Sequence, residues 1–129
     1  MNIISVGIGG ILGALARYFI YIPLNSRSFF PWGTLTVNMM GSFFLVFFLT
    51  VALRRFPHRS SLVLGVSTGF TGAFTTFSSV SVEAVKLLSG NPLLGLFYVL
   101  SSFLGGLLLA YTGRHVARRL SAPADERLE

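Results

Sequence analysis

The stretch Gly69-Phe-Thr-Gly-Ala-Phe-Thr-Thr-Phe-Ser78 lies in the middle of an apolar run, residues 61–88, that is too long for one straight membrane helix. The only charged residues of that run are Glu83 and Lys86, both near its far end. In a bilayer, broken helices are tolerated where the freed amides and carbonyls line a cavity or hold an ion. Glycines and hydroxyls at this depth therefore predict a helix interrupted near Gly72, and an ion-handling membrane protein.

The composition of the whole chain also indicates a membrane protein. Of its 129 residues, 53% are hydrophobic and 11% are charged, which is typical of a bilayer protein and not of a soluble core. A helix crosses a bilayer with about 20 residues, and four apolar runs reach that length: residues 3–22, 33–53, 61–88 and 92–113. We therefore predict an all-α membrane protein with four transmembrane helices and a broken third helix. Residues 1–120 form its single domain, and residues 121–129 form a polar tail.

The distribution of the basic residues predicts the topology. The net charge is +6, and seven of the ten bases follow the second and fourth runs: Arg54, Arg55, Arg59, Arg114, Arg118, Arg119 and Arg127. The positive-inside rule then places both termini in the cytoplasm, in a multi-pass protein of the plasma or inner membrane. The bases form no aromatic-interleaved surface that would suit nucleic acid. The chain has no cysteine, no nucleotide motif and no nucleophile arrangement, so an enzyme is not expected.

Polar residues form stripes on two of the predicted helices. Thr34, Asn38 and Ser42 follow one another at intervals of four, so they share one face of the second helix. Tyr98 and Ser102 are spaced in the same way on the fourth helix. Two interpretations stay open: these groups bond neighbouring helices together, or they donate hydrogen bonds to an anion.

Four further residues are candidates for an ion path. Phe77 could present the positive edge of its ring to an anion, and Ser78 beside it is an uncharged donor. Glu83 is an acid within a span, which by default indicates function, although pairing with Lys86 is an alternative. Arg17 in the first run could either extend to the membrane surface or concentrate anions at a pore mouth.

These motifs together resemble the CrcB/Fluc family of small dimeric fluoride channels. The resemblance extends through most of the chain, in four motifs: Gly13-Ala-x-x-Arg17-Tyr18, Trp32-Gly-Thr-Leu-Thr-Val-Asn38, Gly69-Phe-x-Gly72 and Thr75-Thr-Phe-Ser78. It implies an antiparallel dimer, inserted in both orientations, with two fluoride pores that let fluoride leave the cytoplasm passively. It also implies a structural sodium ion on the dimer axis.

The resemblance assigns roles to individual residues. Main-chain carbonyls of Gly72 and Thr75 would hold the sodium ion, and Arg17 would stand in the vestibule. The residues that it places along the fluoride pore are Asn38, Phe77, Val80, Ser102, Tyr98, Thr34, Ser78 and Glu83.

Some features of the chain depart from the family pattern. Val80 stands where a second pore phenylalanine is expected, and Gly106 replaces a hydroxyl residue. The basic residues divide seven to three between the two faces, which is a large bias for a chain inserted in both orientations. One half of a heterodimer is therefore an alternative to a homodimer. A proton-coupled multidrug-type transporter is a second alternative, but it needs a carboxylate deep in the membrane, and Glu83 lies near a helix end.

Overall fold

The computed structural model describes residues 2–26, 28–55 and 60–121, and these residues are helical apart from short turns and one interruption. The long helices are α1 (Asn2–Asn25) and α2 (Trp32–Arg55). After them come α3 (Ser60–Leu64), a π-helical segment (Gly65–Thr71), α4 (Gly72–Phe74), α5 (Phe77–Gly90) and the long α6 (Pro92–Ser121). The described part of the chain is thus all-α, as predicted.

Helices α1, α2 and α6 are long and apolar enough to cross a membrane. They contain 24, 24 and 30 residues, or about 36, 36 and 45 Å at 1.5 Å per residue, against a hydrocarbon core of about 30 Å. Large apolar side chains cover their outer surfaces, with Ile3 88% and Phe103 69% exposed. These features define a multi-pass membrane protein.

Glycines allow α1 to approach the π-helical segment at backbone contact. A Cβ atom at Gly9 would collide with the Gly65 carbonyl oxygen, and one at Gly13 would collide with that of Phe70. Lipid supplies no hydrophobic drive for helix association, so such close approach is the main source of packing energy. The wider π turn is supported by the Thr71 hydroxyl, which donates to the Val66 carbonyl five residues earlier (3.1 Å).

The predicted interruption is present, but it lies beyond Gly72. Gly72 has helical torsions (φ −61°, ψ −37°), whereas Thr75 (φ −83°, ψ 162°) and Thr76 (φ −150°, ψ 118°) are extended. The Thr76 hydroxyl oxygen accepts the Ser79 N–H at 3.3 Å and so caps the start of α5. Threonine hydroxyls compete with the backbone for its partners and favour caps, which explains why the helix ends here.

Helices α2 and α6 pack side by side in the same direction. Ser42 lies opposite Gly106, Phe43 opposite Gly113, and the Arg55 guanidinium donates to the Leu120 carbonyl at 3.2 Å. Both helices therefore end on the same side of the molecule. Helix α1 begins on that side too, because its last turn meets the start of α2, where Asn25 Oδ1 accepts the Gly33 N–H (2.6 Å).

Helix α1 extends beyond the first apolar run, through Pro23 to Asn25. A proline in the last turn removes only one backbone hydrogen bond, and Asn25 is fixed by its bond to Gly33. The polar tail after Ser121 and the linker 56–59 lie outside the described residues, so the expected tail stays a prediction.

Replacing Gly9 with alanine should disrupt the contact between α1 and the π-helical segment, because backbone and not a flexible side chain occupies the space. We expect Gly9→Ala to destabilise the protein by about 1–3 kcal/mol, the usual cost of overpacking. Gly7→Ala is the matched control, since nothing lies within 4 Å of a Cβ atom there. The measurement is the thermal midpoint of unfolding in detergent; equal midpoints for the two variants would contradict the close approach.

Candidate functional site

A groove of about 380 Å³ lies beside the interruption, between α2, α5 and α6. It contains four of the predicted pore residues: Asn38, Phe77, Val80 and Ser102. Thr75 and Thr76 also line it, and none of its lining residues is charged. The groove therefore combines uncharged polar groups with an otherwise apolar wall.

Asn38 holds the interrupted backbone through two reciprocal hydrogen bonds. Its Nδ2 donates to the Thr76 carbonyl at 2.9 Å, and its Oδ1 accepts the Thr76 N–H at 2.7 Å. The amide thus supplies the acceptor that the Thr76 N–H loses at the interruption. It also adds a donor to the Thr76 carbonyl, which as the N-cap carbonyl accepts the first hydrogen bond of α5 as well. A primary amide has two N–H donors. The second N–H of Asn38 is not needed for this pair and is available to a ligand in the groove.

The same rearrangement releases two backbone carbonyls. In a continuous helix the Thr76 N–H would donate to the Gly72 carbonyl, and the Ser79 N–H would donate to the Thr75 carbonyl. Here the first donates to Asn38 Oδ1 and the second to the Thr76 hydroxyl oxygen. Both carbonyls predicted from the sequence to hold a cation have therefore lost their usual helical donors.

Two serines that border the groove use their hydroxyl protons within their own helices. Ser102 donates to the Tyr98 carbonyl at 2.8 Å, and Ser42 donates to the Asn38 carbonyl at 2.9 Å. Such bonds to the preceding turn are common for serine in helices. Each hydroxyl must rotate before it can donate to an anion in the groove.

The two residues at the aromatic positions differ in their surroundings. Phe77 is 84% exposed in the chain alone, at the first residue of α5. Val80, one turn later, is half-buried and packs against a core cluster that includes Phe30 and Tyr98. Of these two positions, only Phe77 therefore presents an exposed phenyl ring.

Three other predicted residues meet in a separate cluster, which we call the Glu83 cluster. Thr34 Oγ1 donates to Glu83 Oε1 at 2.7 Å, and the Tyr98 hydroxyl donates to Oε2 at 2.7 Å. Asn25 adds a third bond, from Nδ2 to Oε1 at 3.2 Å. The partners of Glu83 are thus neutral donors. Asn25 was not predicted, since it comes from a helix end and shares no periodic spacing with the others.

Arg17 and Ser78 line a second hollow, of about 590 Å³, with Tyr18 and Tyr21. Thr76 borders this hollow and also the groove of Asn38 and Phe77. The predicted site residues thus fall into three neighbouring groups instead of one. Thr76 is the point where the Arg17 hollow and the groove adjoin.

The fold and the site define a small polytopic membrane protein with an interrupted helix beside a neutral, partly polar groove. Among residues 2–26, 28–55 and 60–121, no group of three His, Cys, Asp or Glu side chains could ligate a metal ion. The oxygens near the interruption are those of the main chain and of uncharged hydroxyl and amide groups.

The chain belongs to the CrcB-like protein, Camphor Resistance (CrcB) family, whose family model matches residues 4–114. A relative from Listeria monocytogenes serovar 1/2a, named fluoride-specific ion channel FluC 2, is 40% identical over 131 residues and is covered over 99% of both chains. The fluoride-specific ion channel FluC 1 of Bacillus cereus is 44% identical over 115 residues, 85% of this chain and 78% of that one. FluC of Thermotoga maritima is 36% identical over 121 residues, 92% and 95% of the two chains. The matched region contains every predicted site residue.

Removing the Asn38 amide should destabilise the interruption. In Asn38→Leu, which has a similar volume, the Thr76 N–H loses its acceptor, and an unsatisfied buried polar group costs about 1–3 kcal/mol. We expect a lower thermal midpoint in detergent. Ser42→Ala, one turn further along α2, is the control, because its hydroxyl only bonds its own helix. An Asn38→Leu midpoint as high as that of Ser42→Ala would show that the pair does not support the fold.

Thr34→Val should weaken the Glu83 cluster without changing the shape of the side chain. Thr34 is 0% exposed, and its hydroxyl bonds to a carboxylate, an interaction worth about 1.5–3 kcal/mol. Thr36→Val, two residues away on α2, serves as the isosteric control. The free energies of unfolding of the two variants, measured by chemical denaturation, should differ by about this amount. Equal values would mean that the hydrogen bond from Thr34 to Glu83 does not stabilise the protein.

Proposed function

We propose that this chain forms a fluoride-selective channel through which fluoride leaves the cytoplasm passively, down its gradient. The observation that carries the proposal is the groove beside the interruption, where Asn38, Ser102 and Phe77 come together without a charged side chain. The names of the relatives from Listeria, Bacillus and Thermotoga support the same ion.

The chemistry of the groove suits a small anion that holds its water tightly. A selective path must replace that hydration shell with hydrogen-bond donors, yet bind weakly enough for release. The second N–H of Asn38 and the hydroxyl of Ser102 are neutral donors, and the ring edge of Phe77 is weakly positive. None of them is a fixed charge that would trap the ion. An ion would enter from the Arg17 hollow, pass Thr76, and reach the groove.

The proposed assembly is an antiparallel dimer in which residues 60–90 form the third of four crossings. Thr68, Gly72, Phe77 and Ser78 are all exposed along this segment, and Thr68 and Ser78 would bring polar side chains to lipid in a lone chain. Polar groups facing hydrocarbon are costly. A second chain covering this face removes that cost. An identical copy is the simplest partner, and a related chain is the alternative.

A sodium ion between the two chains would fit the carbonyls of Gly72 and Thr75. Both carbonyls have lost their usual helical donors. A Cβ atom placed at Gly72 would meet no neighbouring atom within 4 Å, so the space beside it is open. Hard cations prefer oxygen ligands such as these. The ion would supply fixed positive charge that holds the two interrupted helices together.

The test is fluoride efflux from liposomes that contain only this purified chain. We expect fluoride to leave while chloride is retained. If fluoride leaves no faster than from protein-free liposomes, an identical pair of chains is not a fluoride channel, and a heterodimer must be assembled instead. If chloride leaves at the same rate, the assignment of fluoride selectivity is wrong.

Phe77→Ile should slow fluoride efflux roughly tenfold, the rate equivalent of losing an aromatic contact of about 1.4 kcal/mol. Phe19→Ile is the matched control, since Phe19 is 70% exposed on α1 and contributes to neither the groove nor the Arg17 hollow. The dimer fraction on size exclusion must be the same for both. Unchanged efflux in Phe77→Ile would remove this ring from the ion path.

A further inference from the structure

Five arginines surround the side of the molecule where α2 and α6 end, which we call the basic end. Arg54 and Arg55 are the last residues of α2, and the others lie in the last two turns of α6: Arg114, Arg118 and Arg119. All five are exposed. The bond from Arg55 to the Leu120 carbonyl (3.2 Å) holds the two helix ends together, so these charges belong to one surface.

The basic end has no countercharge in the part of the chain that the structure describes. Within that part the only carboxylate is Glu83, which lies on the opposite side and is bonded to Asn25, Thr34 and Tyr98. The other three acids of the sequence are in residues 122–129, outside the described ranges. A surface with several cations close together attracts anions from its surroundings.

The depth of these arginines matches the phosphate level of a membrane. About 20 residues of a helix cross the hydrocarbon core, so the last turns of α6, which has 30 residues, extend into the head-group region. Leu107 and Leu108 are 57% and 64% exposed, Tyr111 is 69% exposed, and Arg114 follows one turn later. This order, from apolar through aromatic to basic, is that of acyl chain, interface and phosphate.

We propose that the basic end binds an anionic phospholipid. Arg114 and Arg118 are one turn apart on the same face of α6, so both guanidinium groups can contact one phosphate, while the acyl chains lie against the exposed leucines below. Guanidinium groups bind phosphate oxygens in a bidentate manner, which lysine cannot do. In the antiparallel dimer proposed above, one basic end lies in each leaflet, and basic surfaces at the ends of membrane helices are typical sites for anionic head groups.

The positive-inside rule alone does not account for this surface. Topology requires only positive charge, and lysine serves it as well as arginine. Every cation of the basic end is an arginine, and the one lysine of the chain, Lys86, lies at the far end of α5. A phospholipid contacts both the arginines and the exposed leucines beside them, whereas free inorganic phosphate would contact only the arginines. The proposal is independent of the ion that the groove conducts.

The test measures lipid binding to the full-length protein in detergent, by native mass spectrometry, with phosphatidylglycerol and phosphatidylcholine as the probes. We expect phosphatidylglycerol to bind more tightly than phosphatidylcholine. Arg118→Gln should weaken phosphatidylglycerol binding about fivefold, the effect of one cation near a membrane surface. Lys86→Gln removes one exposed cation at the other end and should leave binding unchanged. Arg118→Lys should fall between wild type and Arg118→Gln.

Three results would overturn the proposal. The first is equal binding of the two lipids, and the second is an equal effect of Arg118→Gln and Lys86→Gln. The third is displacement of the lipid by millimolar inorganic phosphate, which would reduce the surface to a phosphate site. The thermal midpoint without lipid is measured for every variant. Because both positions are exposed, it should not change, so a loss of binding cannot come from misfolding.

Discussion

The reciprocal pair between the Asn38 amide and the backbone of Thr76 is the interaction on which the rest of the site depends. At 2.7 Å it satisfies the Thr76 N–H, which would otherwise lack an acceptor inside the bilayer, and at 2.9 Å it donates to the Thr76 carbonyl. By taking the Thr76 N–H, it also deprives the Gly72 carbonyl of its helical partner. One side chain therefore stabilises the interruption, creates a free acceptor on the outer face, and fixes the direction in which α5 starts.

The start of α5 then determines where its side chains lie. Phe77 is the first residue of that helix, Val80 follows one turn later, and Glu83 a further turn on. The groove and the Glu83 cluster are thus two regions along one short helix. Backbone contact between α1 and the π-helical segment, made possible by Gly9 and Gly13, holds the preceding half in place. The interruption is a rigid junction between two packed halves.

Periodicity in the sequence predicts which residues share a helix face, but not what they contact. The spacing of Thr34, Asn38 and Ser42 correctly places them on α2, yet their bonds go to α5, to the interrupted backbone and to α2 itself. The interruption was predicted near Gly72 from the glycines and hydroxyls of that stretch; the structure has it at Thr75 and Thr76, where the Thr76 hydroxyl caps α5. Asn25 was not predicted, because its hydrogen bonds to Gly33 and Glu83 depend on how α1 meets α2 and α5, and local spacing does not show this.

Glu83, the one acid within the predicted membrane spans, lies outside the uncharged groove. Glu83 accepts three hydrogen bonds from neutral donors: Asn25, Thr34 and Tyr98. Placed two turns after Phe77 on α5, it lies outside the groove, which has no charged side chain. An anion there meets only groups that can release it. In the proposed channel, the hydroxyls of Ser42 and Ser102 alternate between a helix carbonyl and the ion, so each step exchanges one hydrogen bond for another.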